Sequence, residues 1–231
     1  MFGLLRVVPH LLTLTNLAAG CVACIALVRG DFDLVPWCLF ISAVADFLDG
    51  FAARAAGVSG PFGRELDSLA DMVSFGVSPG LMAFAMLGGA TSGPIPLLAY
   101  AGLLIPLLSA VRLARFNIDQ ADTKHFIGLA TPANTVFWFG LFMTWHSDAL
   151  GIRQNLSQPE LILPLVALFS WLMVSSITFF SNKINPKSRH NWPVGIVFLS
   201  VIVFPPFMGW AALPATMLLY VLSGLVWKPA P

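Results

Sequence analysis

Apolar residues run through this chain in blocks of about 18 or more, each long enough to cross a hydrocarbon layer about 30 Å thick. Polar positions fall between the blocks rather than alternating within them. The blocks and their punctuation predict eight helical spans, near 11–29, 34–56, 66–89, 95–117, 129–147, 161–181, 192–209 and 211–227. Pro205, Pro206 and Gly209 fit either a tight turn between the last two spans or a kink inside one. The pattern predicts an all-α integral membrane protein built as a single domain over residues 1–231, without internal repeats or low-complexity segments.

Composition agrees: 58% of the residues are hydrophobic and 10% charged, against about 25% charged in soluble domains. A net charge of +1 without a dense basic stripe excludes a nucleic-acid partner. The position of the charge says more than its sum. With the N-terminus in the cytoplasm, one side collects Arg6, Arg54, Arg64, Arg112, Arg115, Lys124, Lys183, Lys187, Arg189 and Lys228, and the other holds Arg29 and Arg153. That imbalance predicts an even number of spans with both termini inside. Arg6 precedes an apolar run broken by Pro9, Thr13, Thr15 and Asn16, which is not a cleavable signal pattern. Cys21 and Cys24 form a C-x-x-C inside an apolar helix, and with Cys38 they read as small hydrophobes rather than redox or zinc residues.

Four acids break the apolar pattern. Asp46, Asp49, Gly50, Ala53 and Arg54 end the second span, and Gly63, Asp67 and Asp71 open the third. Helical spacing puts Asp46, Asp49, Gly50 and Ala53 on one face and stacks Asp67 and Asp71 one turn apart. A helix-centre carboxylate costs about 2.5–3.5 kcal/mol on insertion scales, so positive charge must sit among them. An ion-pair network with Arg54 and Arg64 is one solution. All-oxygen ligation of Mg²⁺, Mn²⁺ or Ca²⁺, with two ions about 3.5–4 Å apart, is the better fit. Gly50 and Gly63 offer side-chain-free surfaces beside the acids, where a base or a pyrophosphate can approach the backbone, whereas Gly57 and Gly60 read as turn residues. A diphosphate held by divalent cations next to an arginine points to phosphoryl-group transfer at a membrane surface.

Written D-x-x-D-G-x-x-A-R-x8-G-x3-D-x3-D, residues Asp46 to Asp71 resemble the signature of the CDP-alcohol phosphatidyltransferases. That resemblance implies six core transmembrane helices, here followed by two C-terminal ones near 192–227, a homodimer, and a motif that binds two divalent ions (Mg²⁺ or Mn²⁺) and the CDP moiety of a lipid donor. It makes Asp46, Asp49, Asp67 and Asp71 metal ligands and Asp71 also the base. It places Gly50, Ala53, Gly63 and Asn16 at the nucleotide site with Asp46 and Asp67, and Arg54 near the donor phosphates or paired with an aspartate.

The segments Phe62 to Pro79, Arg112-Leu-Ala-Arg115-Phe116-Asn117 and Phe126 to Ala133 resemble the serine-accepting branch of that family, with Ala130 where the branch usually has proline. The implied reaction moves the phosphatidyl group of CDP-diacylglycerol onto L-serine. Glycerol 3-phosphate, inositol phosphate and choline are the other acceptors of the family, and a cation transporter or channel is the alternative of another class. Arg112 and Arg115 suit a serine carboxylate, and equally suit cytoplasmic anchoring. Ser74, seven residues past Asp67, suits substrate binding or helix packing. His10, His125, His146 and His190 lie near span ends without ligand spacing and read as interfacial, as do Trp145, Trp192 and Trp227. The sequon Asn155-Leu-Ser157 is assigned no function.

Overall fold

The computed structural model describes residues 2–57, 60–89, 95–119, 126–179, 199–200 and 203–226. Prolines open most of the helices, where their missing N–H would have had no partner in any case. α1 (Phe2–Arg29) leads to α2 (Val35–Ala56), which begins with Pro36 at its first turn. Gly57, at φ +63°, closes α2 in the left-handed conformation and donates its N–H to carbonyls of the last turn. Extended Gly60 and Pro61 then start α3 (Pro61–Gly88). α4 (Leu97–Ile118) follows, then α5 (Thr131–Ser147), α6 (Pro159–Val174) and α7 (Ala212–Val226).

Five stretches among the described residues are long and apolar enough to cross a membrane: Val7–Arg29, Phe32–Ala55, Pro61–Gly88, Leu97–Ile118 and Pro205–Gly224. The chain is an all-α, multi-pass membrane protein. α5 and α6 occupy the positions of the expected spans 129–147 and 161–181, but are 17 and 16 residues long. Most of the expected span 192–209 lies outside the described residues, as do Lys124, His125, Lys183, Lys187, Arg189, His190, Trp192, Trp227 and Lys228. Gly209, at φ +53°, breaks the chain between the short turn Pro205–Met208 and α7. A two-residue antiparallel pair, β1 (Phe126–Ile127) with β2 (Thr178–Phe179), ties the start of α5 to the end of α6.

α5 is apolar all round and therefore central, with Phe137, Trp138 and Phe142 fully buried. Phe137 stacks on Phe169 of α6 at 3.7 Å between ring centroids. The outward faces carry Trp37, Phe40, Phe47, Phe51 and Phe62, all exposed and facing where lipid lies. α1 and α3 approach so closely that a Cβ on Gly20 would stand 2.9 Å from the Ser74 Cα.

Directly after Asp71, α3 widens into an i→i+5 turn, Met72–Val77. The Phe75 carbonyl in that turn accepts from Thr135 Oγ1 at 2.7 Å. Such turns are rare in helices and recur at functional sites. The contacts also separate two ends of the bundle. At one, Phe32 packs on Trp145 and His146, His146 bonds Asp33 at 2.9 Å, and Arg153 covers Trp145. The four aspartates lie at the other.

Candidate active site

The end of α2 and the start of α3 bring the four acids together. One carboxylate oxygen each from Asp46, Asp49 and Asp67 lies within 4.8 Å of the others, and the Asp71 carboxyl interacts with that of Asp46. Carboxyls this close repel unless a proton or a cation sits between them. Asp67 Oδ1 is buried and has no protein partner, which leaves an acceptor to be satisfied by something other than protein. Convergent carboxylates that include an unpartnered oxygen fit a hard divalent cation.

α1 supplies the wall behind the acids. Thr13 Oγ1 donates to Asp49 Oδ2 at 2.6 Å, and Asn16 Nδ2 donates to Asp71 Oδ1 at 3.3 Å. Asn16 is fully buried. The Ser42 hydroxyl has both the Asn16 side-chain oxygen and the Asn16 carbonyl within reach of its single proton, and Ser74 Oγ donates to that carbonyl at 3.1 Å. Asn16 therefore backs the site through Asp71 and does not open onto the cleft.

In front of Asp49 and Asp67 lies an open cleft of about 610 Å³. Of the residues expected there, Gly50, Ala53, Arg54 and Gly63 line it. A Cβ on Gly50 would meet the Arg54 guanidinium at 3.3 Å, and one on Gly63 would meet the His10 ring at 3.3 Å, so a side chain at either place would fill the cleft floor. Gly57 is a turn residue, as expected, whereas Gly60 is the extended residue before α3 and lines the cleft.

The expected acceptor residues separate. Arg112 is buried on α4, donates from one terminal nitrogen to Thr131 Oγ1 at 2.9 Å, and keeps Nε without a partner. Arg115 is exposed and donates to the Val174 carbonyl at 3.3 Å. Ser74 is fully buried within the wide turn, with its hydroxyl on the Asn16 carbonyl, the helix-packing reading of the two.

Cleft residues on α1 escaped sequence reading. His10, read as interfacial, lines the cleft edge-on to Phe62, with ring centroids 5.4 Å apart. Thr13, read only as an interruption of an apolar run, holds Asp49. The signal was a stripe of His10, Thr13, Asn16 and Gly20 at helical spacing along an otherwise apolar helix.

Residues 6–180 match the model of the CDP-alcohol phosphatidyltransferase family, and the chain belongs to that family, the one its aspartate spacing resembles. It is a multi-pass membrane transferase. It is 31% identical over 220 residues to a CDP-diacylglycerol-serine O-phosphatidyltransferase of Helicobacter pylori, covering 94% of this chain and 89% of the relative. A Bacillus subtilis protein of the same name is 30% identical over 176 residues, or 74% of this chain and 89% of the relative. An archaetidylserine synthase of Methanothermobacter thermautotrophicus is 30% identical over 174 residues, covering 74% and 68%.

Proposed function

We propose that this chain moves the phosphatidyl group of CDP-diacylglycerol onto the hydroxyl of L-serine, giving phosphatidylserine and CMP. The observation that carries the reading is the convergence of Asp46, Asp49 and Asp67 beside a glycine-floored cleft. Relatives across bacteria and archaea are named for serine transfer, which supports serine as the acceptor.

Asp46, Asp49, Asp67 and Asp71 would hold the divalent ions, two per site, Mg²⁺ or Mn²⁺, which would supply positive charge for the donor diphosphate and for departing CMP. Gly50, Ala53 and Gly63 let the nucleotide lie against the backbone, Asn16 backs that site, and Arg54 faces the donor phosphates. Arg112, whose buried Nε has no protein partner, pairs the serine carboxylate, since an arginine in a partly dry site favours a planar anion. Ser74 and Arg115 are bonded to backbone carbonyls, so acceptor binding rests on Arg112. Asp71 takes the proton of the serine hydroxyl. The serine oxygen forms a bond to the phosphorus that carries diacylglycerol, and the bond from that phosphorus to the CMP oxygen breaks. No side chain becomes covalently attached.

The arginines at the acid end, set against Arg29 and Arg153 at the other, support an active site on the cytoplasmic face with both termini inside; the resemblance to the family is what suggests a single-domain homodimer in a prokaryotic membrane. The test is purified protein in detergent with CDP-diacylglycerol, Mg²⁺ or Mn²⁺, and serine, glycerol 3-phosphate, inositol phosphate or choline in turn. CMP release with phosphatidylserine as the lipid product, only with serine and lost on chelation, is the expected result. A different lipid product removes the serine assignment, and turnover that survives thorough chelation removes the metal site.

A further inference from the structure

Thr13 is buried and has one hydroxyl proton but two acceptors within reach, the Pro9 carbonyl at 3.0 Å and Asp49 Oδ2 at 2.6 Å. The proton goes to the carboxylate, because the bond is shorter and charge-assisted. Asp49 Oδ2 thus accepts from protein, and a single oxygen of Asp49 converges with those of Asp46 and Asp67. A carboxylate restrained in this way ligates through a single oxygen. That difference separates hard cations: Mg²⁺ demands near-octahedral geometry with single-oxygen ligands, whereas Ca²⁺ accepts carboxylates through one oxygen or two and tolerates more ligands.

We infer that Thr13 is a positioning residue that holds Asp49 to one-oxygen ligation and thereby makes the site prefer Mg²⁺ over Ca²⁺. The inference rests on the metal reading of the aspartate cluster. α1 treats the facing helix in the same manner, since Asn16, one turn beyond Thr13, donates to one oxygen of Asp71. The first helix, which contributes no acid of its own to the cluster, governs what the cluster binds.

The experiment is direct titration of purified, substrate-free protein with Mg²⁺ and with Ca²⁺ by calorimetry, alongside thermal unfolding. Wild type must bind Mg²⁺, and Asp67→Asn must lose it; failure here refutes the metal cluster itself and not the role of Thr13. With that established, Thr13→Val removes the donor at nearly constant shape. It should weaken Mg²⁺ binding about tenfold or more, the usual effect of removing a partner of a ligand, and change Ca²⁺ binding less than about threefold. Thr13→Ser, which restores the donor, should return Mg²⁺ affinity to within about threefold of wild type. Thr13→Ala, which introduces no clash, should repeat the valine pattern. Proportional loss of both ions in the valine and alanine variants, or Mg²⁺ affinity unchanged in either, overturns the inference.

Discussion

Two regions of the bundle are held together by different forces. Around α5 and α6 the contacts are rings on rings: Phe137 stacked on Phe169, Trp138 edge-on to both. Around the start of α1, the end of α2 and the start of α3 they are directed hydrogen bonds: Thr13 to Asp49, Asn16 to Asp71, and Ser42 and Ser74 to Asn16. Lipid tails are as apolar as leucine, so helices in a bilayer associate through close packing and hydrogen bonding and not through escape from water. The aromatic region uses the first of these to keep the fold. The acid end uses the second to fix the direction in which charged groups point, and so substitutions in the two regions should fail in different ways.

The largest separation is expected from Asp71→Asn, which should lower kcat about 100- to 10,000-fold, the range for loss of a general base, with thermal unfolding in detergent near that of wild type. Phe169→Ala should do the reverse. Truncating a buried aromatic of this kind costs about 3–5 kcal/mol, seen as a large drop in unfolding temperature, while the folded fraction keeps its KM for both substrates. A smaller effect divides the arginines. Arg112→Lys should raise the serine KM about tenfold to a hundredfold, in line with about 1.5–3 kcal/mol for hydrogen bonds to charged groups, and leave the KM for CDP-diacylglycerol alone. Arg115→Lys should move neither by more than about twofold, and equal responses from the two arginines would erase the distinction drawn from their burial. Smallest is Ser42→Ala, about 1 kcal/mol of stability with a modest change in kcat, because Ser42 touches the site only through Asn16.

What could be read in advance follows the same division. The acids were legible because their spacing repeats the helical period on both sides of a break, and Gly57 at φ +63° marks that break. The family signature lies within those residues. Ser74 follows the packing reading of the two its spacing allowed, and nothing in Met72–Val77 announces the i→i+5 turn in which it sits. Arg112 and Arg115 look alike in sequence, three residues apart. Only the packing of Thr131 against one and the Val174 carbonyl against the other tells them apart. His10 and Thr13 were hidden because a few polar residues in an apolar helix near a span end resemble interface residues. The β1–β2 pair, two residues a strand, is too short to leave a pattern.

Phe47 and Phe51 on α2 and Phe62 on α3 flank the acid cluster with large exposed rings. Catalysis there is a surface process: both the long-chain donor and the long-chain product stay dissolved in the same thin layer as the enzyme. Turnover should therefore follow the mole fraction of donor within that layer and not its amount per litre. Adding inert detergent at fixed donor dilutes the substrate as surely as adding water would for a soluble enzyme.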